Sequence, residues 1–362
     1  MFFGSRIERK ESSIIATLKD IANHVGVSIS TVSRVINNDT SRHISQATRT
    51  KIVEAAKELG YALYESGRPT LKKDNPPQTT EYRQIGCIVS VTQNKYNHPY
   101  FSPILQGIET KLSELNSVLT YVLTMDEIKG EGAMNKLAQD AQLDGMIIIE
   151  GIDPNVYEFI KQAVPSVVGI DISDTTVPVI LYDRVAAAKS AVQHLIERGH
   201  RRIGFIGGAG LTGDLEREKR YRGYHYAMEE AGLDIDPRLV VNTGWDVNNS
   251  YTLVYELLSL PEHERPTAMF AASDMMAISA MRAAAEHGLH VPQDVAFVGL
   301  DNIEVSQYTS PPLSTVHIPK EEIGMMAAKV LIDQIEGKNP LPFKLFVPYQ
   351  LMLRQSSDYF RK

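Results

Sequence analysis

Three aspartates, one arginine and one tryptophan stand where they could grip a hydroxyl-rich ligand. Asp171 and Asp301 come directly after apolar runs ending at residues 170 and 300, and Asp274 comes three residues after a run ending at 271. Ligands of open α/β sheets lie beyond the carboxyl ends of strands, and carboxylates there can pair with hydroxyls. Trp245, the only tryptophan, lies in "NTGWD" and offers an aromatic face to a sugar ring. Arg220, in "KRYRGY", can add a bidentate grip. Helix capping or turn formation would also account for each carboxylate taken singly, Asp274 above all because it opens a helix. Core burial would account for Trp245.

No catalytic arrangement accompanies them. The sequence holds no Ser-His-Asp pattern, no paired carboxylates and no HExxH, and the ten histidines show no metal-ligand spacing. Residues 207–210, Gly-Gly-Ala-Gly, lack the Lys-Ser/Thr of a phosphate-binding loop and the spacing of a dinucleotide fingerprint, and read as a loop after a strand. Neither an enzyme nor a cofactor nor a metal is expected.

The chain of 362 residues is 43% hydrophobic and 22% charged, with a net charge of −7. That size calls for two or three units. No apolar run is long enough for a transmembrane helix. Charges at Arg6, Glu8, Arg9, Lys10 and Glu11 occupy the place of a signal peptide's apolar core, so residues 1–15 read as a leader outside the folded part. A single cysteine, Cys87, fits a reducing cytoplasm. An acidic whole confines nucleic-acid binding to a local patch; residues 16–64 supply one, with Lys19, Arg34, Arg42, Arg49, Lys51 and Lys57 against four acidic groups, Asp20, Asp39, Glu54 and Glu58.

That segment predicts three short helices. Leu18, Ile21, Ala22 and Val25 share one face, and Gly26 supplies the left-handed turn that ends the first helix. Ser28 caps a second helix over 29–36 with Val32, Val35 and Ile36 inward and Ser30, Thr31, Ser33 and Arg34 outward. Ser45 caps a third over 46–59. Two helices joined by a glycine turn, the second bearing small polar groups and one guanidinium, form a helix-turn-helix pattern. Arginine at such a place can fork onto guanine O6 and N7. From residue 85 onward, apolar runs at 85–89, 118–123, 146–149, 167–170, 179–182, 203–206, 269–271 and 295–298 alternate with helical patterns at 102–115, 185–198, 222–231, 274–287 and 320–335. This alternation predicts two parallel sheets covered by helices, with a cleft between them.

The segment "TLKDIANHVGVSISTVSRVIN" resembles the start of lactose/galactose repressor family members. "RRIGFIGG", "RYRGY", "FAASDMMAISAMRAAAEHGLHVPQDVAFVGLDN" and "PPLSTV" match further family landmarks in order. The resemblance implies an all-α helix-turn-helix head plus a periplasmic-binding-protein-like α/β core of two doubly wound parallel-sheet subdomains. It makes Ile29 and Ser30 the base-selecting positions and Arg34 the base-reading arginine. Ser28, Thr31, Ser33 and Asn37 then fall on phosphate-contact or capping positions. Asp171, Arg220, Trp245 and Asp301 fall on effector-pocket positions, Ser273-Asp274 replaces the family's usual Asn-Asp pair, and Ile318 stands where glutamine is common. "HPYFSPILQGIE" and "LFVPYQLMLR" look closest to the branch of the evolved-β-galactosidase repressor and the Gram-positive galactose repressors, which would place Tyr100 and Phe101 on the cleft and favour a galactoside.

The implied division is a head at 16–64, a hinge at 65–83 and a core at 84–362, its N-subdomain formed by about 84–183 and 319–346 and its C-subdomain by about 184–318 and 347–362. Family members fold a hinge helix that wedges leucines into the minor groove. Here Gly67 and Pro69 would break such a helix, leaving Leu71 as an out-of-register wedge, Arg68 as a minor-groove contact, or the segment as a tether. The chain stops at Lys362 with no Leu-rich tetramerisation helix, so a homodimer on a palindromic double-stranded operator is expected, in the cytoplasm, with a small sugar controlling DNA affinity. A purine or nucleoside sensor, or a global regulator acting with a protein corepressor, is the alternative. The head argues against a solute-binding protein.

Overall fold

The computed structural model describes residues 18–36, 44–58, 82–90, 95–129, 143–210 and 213–360. The chain divides into two compact units, residues 1–79 and 80–362. Asn37, Arg68, Leu71 and Leu59 lie outside the described residues, as does the hinge.

The first unit contains α1 (Leu18–Val25), α2 (Ile29–Ile36) and α3 (Gln46–Glu58). The apolar faces read from the sequence meet in a small core of Ile21, Ala22, Val32, Val35, Ile52, Ala55 and Ala56. Gly26 has φ +73°, and both its N–H and that of Val27 return to the Ala22 carbonyl, closing the first helix. Ser28 Oγ accepts the Thr31 N–H at 3.2 Å, and Ser45 Oγ accepts that of Thr48 at 3.2 Å. Each hydroxyl accepts an N–H from the first turn of its helix, where no i−4 partner within the helix exists.

The second unit holds two six-stranded sheets. The first contains β1 (Arg83–Val89), β2 (Ser117–Thr124), β3 (Gly145–Ile149), β4 (Val167–Ile170), β5 (Val179–Leu181) and β11 (Lys344–Phe346), in the order β11-β5-β4-β3-β1-β2, all parallel. The second contains β6 (Ile203–Gly207), β7 (Val240–Asn242), β8 (Ala268–Ala271), β9 (Ala296–Asp301), β10 (Ser314–His317) and β12 (Gln350–Met352), in the order β12-β10-β9-β8-β6-β7. Here β12 runs antiparallel to β10, an exception to the all-parallel expectation at the sheet's edge. The helices are α4 (Phe101–Glu114), α5 (Met125–Lys129), α6 (Pro154–Ala163), α7 (Arg184–Glu197), α8 (Lys219–Glu230), α9 (Val247–Leu258), α10 (Asp274–Glu286) and α11 (Lys320–Ile335).

Every strand and helix read from the sequence is present within a few residues. The strands β7, β10, β11 and β12 and the helices α5, α6 and α9 were not anticipated. The four strands have three or four residues each and include polar residues, so no apolar run marks them. The chain passes between the sheets three times, after β5, after β10 and after β11. Side chains at the ends of both sheets therefore lie close to the crossovers.

Helices α4 and α11 pack across the first sheet at a distance set by glycine. A Cβ on Gly107 would overlap the Glu321 carbonyl, and one on Gly324 would overlap the Ile104 carbonyl. Backbone cannot yield as a flexible side chain can. Gly324→Val is therefore expected to destabilise the core by at least about 2 kcal/mol. Circular dichroism melts that show an unchanged transition would contradict this packing.

Candidate functional site

Helix α2 presents two faces. Val32 and Val35 are buried against α1 and α3, while Thr31 and Arg34, three residues apart and hence on one face, are partly exposed. Ser28 is exposed, and its hydroxyl lies 2.8 Å from that of Thr31. The backbone of Ile29, Ser30 and Ser33 lies in the same helix. A short, half-exposed helix carrying a guanidinium can enter a duplex groove, because its other half is anchored.

In the second unit, backbone strain marks where the chemistry lies. Six described residues other than glycine adopt positive φ: Asn116, Glu150, Asp171, Trp245, Asp301 and Asn302. Left-handed backbone is costly for residues with a Cβ and persists where surroundings enforce it. Five of these six, all but Asn116, lie at or just beyond strand ends. Glu150 follows β3 and Asp171 follows the adjacent β4, while Trp245 lies past β7 and Asp301-Asn302 closes β9.

The carboxylates of the first sheet meet cations from the second lobe. Arg184, the first residue of α7, reaches both Glu150 Oε1 and Asp171 Oδ2. Lys219, the first residue of α8, donates to Asp171 Oδ1 at 2.7 Å. Burial pushes the Asp171 carboxyl up, but Arg184 and Lys219 outweigh it and hold the group below its ordinary value. Asp171 was expected to bind a ligand hydroxyl; instead both its oxygens belong to protein cations that link the two lobes.

Asp274 also departs from expectation. It is fully buried, its Oδ2 accepting the Ile303 N–H at 2.8 Å and its Oδ1 the Thr315 hydroxyl at 2.5 Å. Gly299 leaves room for it. Asp274 clamps the loop after β9 onto α10 and offers no oxygen to a ligand. Ser273 caps α10, its Oγ accepting the Met276 N–H at 3.4 Å. Ile318 lies wholly inside the core.

Asp301, Arg220 and Trp245 keep groups to offer. The Asp301 side chain is 6% exposed, and its carboxylate accepts no hydrogen bond from the described residues. Lys320 donates to its backbone carbonyl. Burial pushes this carboxyl up to about 7, against the pull of Lys320, Arg220 and Arg184. Arg220 donates through Nε to Glu218 Oε1 at 2.8 Å and through Nη1 to the Ala272 carbonyl at 3.4 Å. Its guanidinium stacks on Trp245, 4.2 Å from the ring centroid. Gly208 admits the indole, since a Cβ there would come within 2.6 Å of Trp245 Cδ1. The glycine-rich loop after β6 thus makes room for an aromatic ring. Tyr100 and Phe101 are buried at the start of α4, with Tyr100 close enough to Asp301 to feel its charge.

Glu150, Arg184, Lys219, Glu218 and Lys320 were not anticipated. Only the positive φ of Glu150 matches a recognisable rule, and φ is invisible in sequence. The cations come from helix starts, where no sequence rule looks for ligands.

A helix-turn-helix followed by a two-sheet α/β core with a polar cleft is the build of a DNA-binding regulator. Residues 17–62 match the family described as bacterial regulatory proteins, lacI family, and residues 192–357 match the periplasmic binding protein-like domain. The transcriptional repressor CytR of Escherichia coli strain K12 is 31% identical over 97% of this chain and 99% of its own. The ribose operon repressor of Haemophilus influenzae is 32% identical over 94% of this chain and 98% of its own. A solved complex of the transcriptional regulator CelR with cellobiose superimposes with a TM-score of 0.68 at 30% identity, over 94% of this chain and 99% of that one. The chain belongs to the lacI family of bacterial regulatory proteins.

Asp301 also carries a pH signature. Its value in the folded chain lies above the ordinary 3.8, so the folded state holds a proton that the unfolded state releases. The stability it contributes is complete below about pH 4 and is lost as pH rises through about 7. Asp301→Asn is expected to flatten this fall and to melt higher than wild type at about pH 8. Thermal melts across that window that keep the wild-type slope would refute the assignment.

Proposed function

We propose that this protein is an operator-binding transcriptional repressor whose DNA affinity is set by a small polyhydroxy ligand of the sugar class. One observation carries the ligand reading: the Asp301 carboxylate, in a residue only 6% exposed, has no hydrogen-bond donor among the described residues, beside an arginine stacked on an indole. A carboxylate in so dry a place calls for a donor from outside. A sugar supplies hydroxyl donors for Asp301, acceptors for Arg220 and an apolar ring face for Trp245. Tyr100 and Phe101 stand on the opposite side, at the start of α4. Relatives named for ribose and cellobiose support the class; the galactoside reading rests on the branch motifs alone.

For the DNA side, we assign Arg34 to a guanine edge and Ile29 and Ser30 to base selection. Ser28, Thr31, Ser33 and Asn37 go to backbone contacts, with Arg68 and Leu71 of the hinge in the minor groove. A single eight-residue helix reads few bases, so a homodimer on a palindrome is the functional unit, acting in the cytoplasm. Residues 16–64 are then the DNA-binding domain, 65–83 the hinge and 84–362 the ligand-binding and dimerisation core.

A second reading is a nucleoside sensor: a nucleoside also brings a ribose diol and a ring for Trp245. Fluorescence anisotropy on promoter fragments near the protein's own gene tests both, with sugars and nucleosides added in turn. Arg34→Ala is expected to weaken binding by about 1–3 kcal/mol. An active ligand is expected to shift DNA affinity about 5–150-fold. Equal binding by the variant removes the role of Arg34, and indifference to every compound removes the ligand reading.

A further inference from the structure

The corner that closes β9 is held by one residue with three bonds. Asn302, at φ +49°, directly follows Asp301. Its backbone N–H donates to Thr315 Oγ1 at 3.2 Å. Its amide Oδ1 accepts from Arg354 Nη2 at 2.7 Å, and its amide Nδ2 lies 3.1 Å from His317 Nδ1. Thr315 and His317 are two apart on β10 and share one face of the sheet.

The chemistry of these partners fixes a proton. A guanidinium only donates, so the atom facing Arg354 must be the amide oxygen. The amide nitrogen then faces His317, and it too only donates. His317 Nδ1 must therefore accept, which makes the imidazole neutral with its proton on Nε2. A second proton would set an N–H against the Asn302 NH2 with no lone pair between them. The surroundings favour the same state. Burial and Lys320 lower the imidazole below its ordinary 6.5, against the pull of Glu322. Its register partners are Asp301 on β9 and Gln350 on β12, and Arg354 stands on the far side of the Asn302 amide.

We propose that neutral His317 is a positioning residue: as an acceptor it locks the Asn302 amide and with it the left-handed Asp301-Asn302 corner, so that a proton on Nδ1 releases the corner and weakens ligand binding. His317 acts through Asn302 on Asp301 rather than on the ligand itself. This rests on the reading above that Asp301 binds the ligand, and adds that mild acid loosens the grip. The sign follows from the direction of the shift. The folded chain holds this proton less tightly than the unfolded chain, so the stability the lock contributes is complete above 6.5 and is lost as pH falls below it.

The test is an imidazole NMR titration of the full chain with labelled histidine, the His317 signal being assigned by its loss in His317→Asn. Asparagine keeps an acceptor in the place of Nδ1 and cannot titrate. At about pH 7.5 the wild-type ring is expected to be the Nε2–H tautomer, with a midpoint below 6.5. Asn302→Asp offers Nδ1 a carboxylate and is expected to move the midpoint above that value. An Nδ1–H tautomer, or a midpoint that Asn302→Asp leaves in place, overturns the proposal. Where His317→Asn does not fold, the shift caused by Asn302→Asp both assigns the signal and decides the matter. Calorimetry with D-ribose, D-galactose or cellobiose, whichever stabilises wild type most, then reads the coupling. Between about pH 7.5 and about pH 5.5, wild type is expected to lose about fivefold more affinity than His317→Asn, the worth of one hydrogen bond. Asp301 is present in both chains, so its own titration cancels. Equal losses overturn the proposal too. If none of the three sugars stabilises wild type, the sugar reading fails separately, and the imidazole titration still decides whether Asn302 locks a neutral His317.

Discussion

A carboxylate placed in a dry seam between two protein lobes needs a cation, and the core of this regulator is organised around that requirement. Glu150 and Asp171 end neighbouring strands of one sheet, and their charges are met by Arg184 and Lys219, which begin two helices of the other lobe. Removing charge from water is tolerable only when opposite charge and hydrogen bonds replace the lost solvent. The ion pairs thus join parts of the chain that no strand pairing joins. They also leave Asp301 as the site's one carboxylate without a donor among the described residues. Lys320, the first residue after the second crossover's Ile318-Pro319, holds the Asp301 carbonyl in place without occupying its side chain.

Strain and polarity coincide in this seam. Glu150, Asp171, Trp245, Asp301 and Asn302 all take left-handed backbone. At Asn302 the compensation is visible: its amide Oδ1 accepts from Arg354 Nη2 at 2.7 Å, and its N–H reaches the Thr315 hydroxyl at 3.2 Å. The C-terminal segment is therefore part of the site's support. Ser356 and Ser357 tie the same segment to Phe297 and Ser314. Such second-layer bonds hold strained residues in place for a ligand, where an isolated loop would relax.

The head works by a different economy. Its core is seven small or medium apolar side chains, enough to orient three helices but little more. Thr31 and Arg34 lie partly exposed on its other face, the one proposed to meet a duplex. Local capping by Ser28 and Ser45 holds the starts of the second and third helices.

Much of this was legible in the residues themselves. Glycine at 26, serines at 28 and 45, and apolar spacing at 21, 22, 32, 35, 52, 55 and 56 determined the head, because helix caps and faces depend on neighbours within a turn. Apolar runs likewise marked eight of the strands. The short strands β7, β10, β11 and β12 were hidden, since polar residues interrupt their apolar runs. The site divided in the same way. Asp301 and Trp245 were read from their place after strands and Arg220 from the motif "KRYRGY", all local features. That Asp171 and Asp274 are already taken was decided by Arg184, Lys219, Ile303 and Thr315, brought from elsewhere in the chain by the crossovers. Sequence specifies which groups can bond; only the folded chain specifies which have done so, because a charge buried between lobes takes whatever partner the packing puts beside it.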